Sequence, residues 1–234
     1  VGGFFRQGEG PRSVGYTAED GGQIKGNLTR KFAGGFVRAH FKLLDDRAPV
    51  YLPVPVSITG TSSDPHFASL PGFDLLNGAM QSKYLREDLS VDRDGRVVRT
   101  ELRDGYRSES RALGLEAEFD VAESWRFEGR ARVAATTGRF VGPYPAEVAS
   151  ASAIATEIGG PGATLRYANG GLAGQAIADP SALNGNGLAV RTHLFNAELN
   201  NLGNYTHDLK LTRAFEGELQ RGSITMGYFK ARQF

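Results

Sequence analysis

The chain has 234 residues, of which 27 are basic and 26 acidic, so its formal net charge is +1. This balance argues against a nucleic-acid binder, because such proteins neutralise phosphates with an excess of Lys and Arg. The sequence has no cysteine, which excludes a disulfide framework and a thiolate metal site. Its 31 glycines, about double the usual share, favour an all-β chain with many turns, as do its 14 Phe and 8 Tyr.

The first half of the chain predicts one strand and then a pair of strands. Val1 to Arg6 is extended, and Gln23 to Phe32 alternates apolar and polar residues, as a two-faced strand requires. A glycine-containing turn at residues 33–35 leads into Phe36 to Leu43, which alternates in the same way. The polar face of the second strand of this pair carries Arg38, His40 and Lys42.

Two further strand pairs follow in the second half. One pair is Ser110 to Asp120 with Trp125 to Phe140, and the other is Asp208 to Phe215 with Ser223 to Phe234. In each pair the strands are joined by a short link, which is typical of antiparallel neighbours. The polar positions of the first of these pairs are Glu116, Glu118, Arg126, Glu128, Arg130 and Arg132.

Long connections separate the pairs, at about Gly8 to Gly22, Asp45 to Gly105 and Val141 to Thr206. Within them, the Asp-Gly step at 94–95 predicts a hairpin, and Pro145 to Thr156 predicts a short helix with proline near its start. Strict alternation of long connections and short turns is typical of an outer-membrane barrel, which has long extracellular loops and short periplasmic turns.

Aromatic residues recur at the short-turn ends of the predicted strands. In a barrel, this is where a periplasmic girdle of interfacial aromatics belongs. The predicted girdle consists of Phe32, Phe36, Phe119, Trp125 and Phe215. The charged positions of the two first pairs would then line the barrel lumen; they are Arg38, His40, Lys42, Glu116, Glu118, Arg126, Glu128, Arg130 and Arg132.

Two classes of protein remain open at this point. Mean hydropathy is −0.31, and no run approaches the roughly 18 apolar residues of a membrane helix; a transmembrane barrel can nevertheless look soluble on average, because it alternates apolar and polar residues. We therefore expect an all-β, antiparallel transmembrane barrel. The alternative is a soluble β-sandwich binding module or an outer-membrane adhesin fragment.

Several stretches resemble TonB-dependent receptors. They are GGFFRQGEGPRSVGYTAEDGGQIKGNLTRKFAGGFVRAHFKLLDDRAPVYLPVPVS (Gly2 to Ser57), LRYANGGLAGQ (Leu165 to Gln175) and HLFNAELNNLGNYTHDLKLTR (His193 to Arg213). These motifs agree in order and span most of the chain. The likeness is to the large subgroup associated with uptake of carbohydrates and other nutrients.

The resemblance implies a bacterial outer-membrane barrel of about 22 strands that surrounds a plug domain. Its implied partners are outer-membrane lipid, the plug domain, TonB and a small-molecule nutrient. The sequence predicts about seven strands, whereas a single-chain bacterial barrel has an even number of at least about 8. We therefore expect residues 1–234 to form an incomplete arc of such a barrel, without a plug or signal peptide.

The long connections hold the candidate ligand-binding residues: Asp46, Arg47, Tyr51, Phe73, Asp74 and Tyr84. Carboxylate, guanidinium and phenol groups can grip sugar hydroxyls, but the segment from Asp45 to Pro55 can equally be a structural bracket at a strand end. We expect no enzyme activity, cofactor or metal, because the sequence has no nucleophile elbow, no phosphate-binding loop and no closely spaced histidines.

Overall fold

The computed structural model describes residues 1–51, 53–218 and 220–234. These residues form twelve strands and one α-helix, α1 (Ala151–Gly159), and none of the described helices is long and apolar enough to cross a membrane. The strands are β1 (Gly2–Gly8), β2 (Glu19–Phe32), β3 (Gly35–Ala48), β4 (Ser57–Thr61), β5 (Asp64–Ala68), β6 (Glu87–Val91), β7 (Val97–Glu101), β8 (Tyr106–Ala122), β9 (Trp125–Ser150), β10 (Leu188–Leu199), β11 (Asn204–Glu216) and β12 (Arg221–Gln233).

The main sheet is an antiparallel meander in the order β1-β2-β3-β8-β9-β11-β12, with β10 also paired to β9. Strands β10 and β11 lie end to end along the same edge of β9, since Leu199 is opposite Gly138 and Asn204 is opposite Ala134. The eight strands of this sheet therefore lie in seven rows side by side, because β10 and β11 share one row. The order of the rows across the sheet follows the order of the strands along the chain. The predicted fold class, mostly antiparallel β, is confirmed at this level.

The connections of the sheet differ sharply between its two ends. Residues 33–34 and 123–124 form short turns at one end, where the Gly217 N–H also donates to the Gln220 carbonyl at 2.8 Å between β11 and β12; we call this the short-turn end. The opposite end, the long-loop end, carries residues 9–18, residues 49–51 and 53–105 with the hairpins β4–β5 and β6–β7, and residues 151–187 with α1. The predicted alternation of long and short connections is therefore confirmed.

The prediction of one long connection from Val141 to Thr206 is wrong. Strand β9 continues to Ser150, and β10 pairs with this extension. Pro143 and Pro145 interrupt the expected strand pattern, but they lie beyond Phe140, where β8 no longer pairs with β9. A strand can hold proline where its N–H side has no ladder partner, so the two prolines are tolerated here.

Local structure within the loops agrees with part of the prediction. The Asp-Gly hairpin is confirmed as β6–β7, where the Asp92 carboxylate accepts hydrogen bonds from the backbone N–H of Asp94 and Arg96, both at 2.9 Å. The predicted helix begins later than expected, at Ala151, because the Ser150 hydroxyl caps it by accepting from the backbone N–H of Ala153 at 3.2 Å. The hairpin β4–β5 was not predicted.

Candidate functional site

The register sorts the side chains of the main sheet onto an apolar face and a charged face. One transverse row of the apolar face joins Ala39, Leu115, Ala131, His207 and Lys230, each directly opposite the next. The nine predicted lumen-lining residues share the other face: Arg38, His40, Lys42, Glu116, Glu118, Arg126, Glu128, Arg130 and Arg132.

The apolar face leaves large hydrophobic side chains exposed, unlike the inner face of a water-soluble sheet. On the apolar face Leu28 is 79% exposed, Leu113 64% and Leu115 52%. On the charged face exposure is mixed, since the side chain of Glu116 is 20% exposed and that of Arg130 is 73% exposed. A soluble protein buries apolar side chains and leaves charged ones in water, so the apolar face needs an apolar covering that the described residues do not supply.

The upper edge of the apolar face, toward the long-loop end, runs obliquely across the sheet. From the row of Ala39 toward the long-loop end, the first charged residue of the apolar face on β3 is Asp45, six residues beyond Ala39. On β12 it is Lys230, which already lies in the row of Ala39. Six residues cover about 20 Å along a strand, and the four strand spacings from β3 to β12 cover about 19 Å. A line through these two residues therefore departs by roughly 45° from the perpendicular to the strands. Arg111 on β8, in the row of Leu43, lies close to this line, whereas the first charged residue of this face on β9, Arg139, lies higher, in the row of Arg47.

The lower edge slopes in the same direction. Arg30 lies in the transverse row of Leu209, while Arg213 lies four residues farther along β11. This drop is about 14 Å over about 19 Å of sheet width, so the lower edge departs by roughly 35° from the perpendicular to the strands. On β3 the apolar face extends from Gly35 to Asp45, which corresponds to a height of about 24 Å at a tilt of about 45° and about 28 Å at a tilt of about 35°.

Aromatic rings cluster at the lower edge of the apolar face. The ring of Phe119 lies 6.2 Å from that of Phe32 and 5.2 Å from that of Phe127. Trp125 and Phe215 are on the same face, at the ends of β9 and β11. The fifth predicted girdle residue, Phe36, was placed incorrectly: it lies opposite Lys31 and Glu118 on the charged face. Phe127, which was not among the predicted girdle residues, joins the cluster.

On the charged face, ion pairs converge on Glu116. Its carboxylate is 3.3 Å from guanidinium nitrogens of both Arg38 and Arg130 and 3.6 Å from the imidazole of His40. Arg126 pairs with Glu118 and, at 2.9 Å, with Asp120. These contacts connect β3, β8 and β9, so much of the charge on this face is already used within the sheet.

At the long-loop end, Asp46 and Arg47 hold strands together. Arg6 donates two hydrogen bonds to Asp46, at 2.9 and 2.7 Å, and one to Glu19 at 3.0 Å. Arg47 donates to Asp20 at 3.0 Å on the apolar side of the sheet. Asp46 and Arg47 thus act as the structural bracket that the sequence left open as an alternative to ligand binding. Sequence reasoning missed Arg6, because its partner lies 40 residues away.

Tyr51 extends this bracket to the first long loop. Its hydroxyl donates to the backbone carbonyl of Glu9, and burial, followed by the nearby Glu19 carboxylate, raises the pKa of Tyr51 to about 12. Burial and Glu101 likewise raise the pKa of Tyr16 to about 12. Both phenols therefore remain protonated at physiological pH and serve as neutral groups at the base of the loops.

The remaining ligand candidates lie apart from this bracket. Asp74 stabilises its own turn by accepting from Leu76 and Asn77, and the hydrogen bond from the Asn77 side chain is the main cause of its lowered pKa. Phe73 is half-buried next to that turn. Tyr84 is exposed, and the Lys83 ammonium lies 4.9 Å from the centre of its ring. The six candidates therefore do not form one site.

Arg12 fixes the first long loop against the second. One of its guanidinium nitrogens donates to the backbone carbonyls of Leu75 and Gly78, at 3.0 and 2.6 Å, and the Ser13 N–H donates to Asn77 at 3.0 Å. These contacts order the segment that carries Phe73 and Asp74. The loops are thus packed on one another at the end of the sheet.

No protein-family model matches the chain, and neither a curated protein nor a solved structure matches it. The likeness to TonB-dependent receptors therefore depends on the sequence motifs alone. What the structure contributes is a two-faced antiparallel sheet with its long loops at one end.

Proposed function

We propose that this chain forms part of the wall of an outer-membrane β-barrel, of the kind found in TonB-dependent transporters that actively take up a nutrient such as a carbohydrate. The long loops would face the outside and the short turns the periplasm. The apolar face would contact lipid, and the charged face would line the interior next to a plug domain that TonB acts on. The chain would act by binding and transport and not by catalysis.

The observation that carries this proposal is the shape of the apolar face. Strands of outer-membrane barrels cross the bilayer at about 35–45°, and their apolar band is about 25 Å tall. A slab of that thickness, crossed by tilted strands, cuts an oblique band across the sheet. The band found here has edges that depart by roughly 45° and 35° from the perpendicular to the strands, and its height on β3 is about 24–28 Å. Lys230 and Asp45 lie at its upper edge.

The distribution of exposure supports the same proposal over a soluble β-sandwich. A sandwich covers the inner face of each sheet with a second sheet about 10 Å away. Here Leu28, Leu113 and Leu115 remain more than half exposed, so the described chain places no second layer over them. Lipid supplies the missing apolar contact without requiring another layer.

Purification with and without detergent tests the proposal. We expect the chain to refold cooperatively in micelles of a mild detergent and to aggregate when the detergent is removed, because the exposed leucines then face water. Two readouts separate folding from simple solubility: the far-UV circular dichroism of the sheet and the cooperativity of thermal unfolding. A monomeric, cooperatively folding protein in plain buffer would overturn the membrane assignment.

A further inference from the structure

Two lysines are held directly opposite each other on the charged face. Lys25 on β2 is in register with Lys42 on β3, which places their Cβ atoms about 5 Å apart, and like charges at this spacing destabilise a sheet. Within the described residues, neither ammonium group forms a hydrogen bond or ion pair. The pair therefore has an unfavourable electrostatic energy that a bound anion would relieve.

A cavity of about 720 Å³ opens beside the two lysines. Its floor includes Ala112 and Gly114, which lie opposite Lys42 and His40. Because these two residues lack long side chains, the sheet leaves free volume between the surrounding cationic groups. A volume of this order is within the range of small-molecule sites, about 300–1,000 Å³.

The charge around the cavity is strongly positive. Lys25, Lys42, Arg130 and Arg132 line it, whereas Glu116 is the only carboxylate among the lining residues described. That carboxylate is already shared by Arg130, Arg38 and His40. Among the residues that the structure describes, Arg132 donates only to the neutral amide oxygen of Asn204, at 3.1 Å, and no carboxylate pairs with it.

We propose that this cavity binds a small multivalent oxyanion, a molecule that carries two or more carboxylate or phosphate groups. Lys25 and Lys42 would supply two point charges to one anionic group, and Arg132 would supply its planar guanidinium to another. A neutral saccharide would leave the lysine pair uncompensated. The site lies on the charged face, so it does not depend on what covers the apolar face; in the proposed barrel it would open toward the interior, beside the plug domain.

The test uses the refolded chain in detergent at constant ionic strength, with citrate and inorganic pyrophosphate (the phosphate probe) as separate probes. We expect saturable binding by calorimetry and a rise in Tm with at least one of them. A response to citrate alone identifies carboxylate as the preferred group, and a response to phosphate alone identifies phosphate. No saturable response to either probe, in a protein that still unfolds cooperatively, overturns the proposal and leaves the membrane assignment untouched.

Charge-removing variants separate a built site from a general salt effect. Lys42→Gln and Lys25→Gln should leave the anion-free Tm equal to or above that of the original chain, because repulsion is relieved, and should weaken anion binding at least tenfold. Lys31→Gln removes the same charge from the same face opposite Phe36, outside the cavity, and should retain the response. An equal response in Lys42→Gln and Lys31→Gln contradicts the proposal.

A hexaglutamate peptide completes the test by distinguishing a small ligand from an acidic protein segment. The cavity should bind the multivalent small anion at least as tightly as the peptide. Saturable binding of hexaglutamate that Lys42→Gln abolishes, without binding of citrate or phosphate, would assign the surface to an acidic polypeptide and overturn the small-molecule site.

Discussion

The guanidinium of Arg213 lies over the indole ring of Trp125, 5.4 Å from the ring centroid, where β9 and β11 meet near the short-turn end. An aromatic ring beneath a cation is a suitable pair for a membrane interface, because the ring has an apolar body and the long arginine side chain can place its charge toward water. The pair marks the lower edge of the apolar face.

Trp125 is the only tryptophan in the chain, so its fluorescence reports on this edge alone. In vesicles that contain brominated lipids, we expect its emission to be quenched most by bromines near the headgroups and least by bromines at the bilayer centre. Equal quenching at all depths, or no quenching with a folded sheet, would show that Trp125 is not at a lipid interface.

A charge placed in the middle of the apolar face should be costly. Leu115→Arg should destabilise the folded chain in bilayers by about 2–4 kcal/mol, the usual penalty for arginine at the midplane of a lipid-facing strand. The control is Leu76→Arg, since Leu76 is 78% exposed in a long loop and should tolerate the charge. The comparison is made by urea unfolding, and equal effects of the two changes would argue against lipid contact at Leu115.

The bracket at the long-loop end should contribute a modest amount of stability. Asp46→Asn replaces a charged acceptor of two Arg6 hydrogen bonds with a neutral one, which should cost about 1 kcal/mol because both groups are partly exposed. Asp64→Asn, at a well-exposed carboxylate, should change the free energy of unfolding much less. A cost at Asp46 no larger than at Asp64 would mean that the bracket does not stabilise the fold.

Asp88 provides a prediction for pH dependence. Burial raises the pKa of this carboxyl in β6. Its contribution to the free energy of unfolding is therefore full below the unfolded pKa, where the carboxyl is protonated in both states, and is lost as pH rises through the folded pKa. Asp88→Asn should therefore increase stability at pH 7, and the gain should vanish below about pH 4. Thermal unfolding at pH 7 and below about pH 4 measures this gain, with Asp94→Asn in the same hairpin as the control that should show no such gain. A stability difference between Asp88→Asn and the original chain that does not change with pH would contradict the prediction.

Much of the sheet could be predicted from the sequence, because alternation of residue type has a period of two only in strands. Trp125 to Phe140 alternates clearly, and the predicted separation of charged and apolar residues is the one found. The failure at β10 has a physical cause: its partner is the part of β9 that contains Pro143 and Pro145. Prolines usually end strands, and only the tertiary arrangement reveals that this segment has a free edge.

The candidate site was less predictable, because register depends on pairing across the sheet. Phe36 is aromatic, as a girdle residue should be, but it lies opposite Glu118 and therefore on the other face of the sheet from Phe119. Lys25 and Lys42 look like ordinary strand lysines until β2 and β3 are paired, when they become opposed. Contacts between residues distant in sequence, such as Arg6 with Asp46, leave no local pattern.

Cysteine scanning along β8 tests whether the apolar face contacts lipid, and the chain has no native cysteine that would also react with the label. Single spin labels at residues 112–117, in the chain folded in bilayers, are exposed in turn to oxygen and to a water-soluble nickel chelate. If the apolar face contacts lipid, we expect high oxygen access at Leu113, Leu115 and Ala117. We expect chelate access or protein contact at Ala112, Gly114 and Glu116. Equal oxygen access at adjacent positions, or chelate access at Leu113 and Leu115, would contradict it.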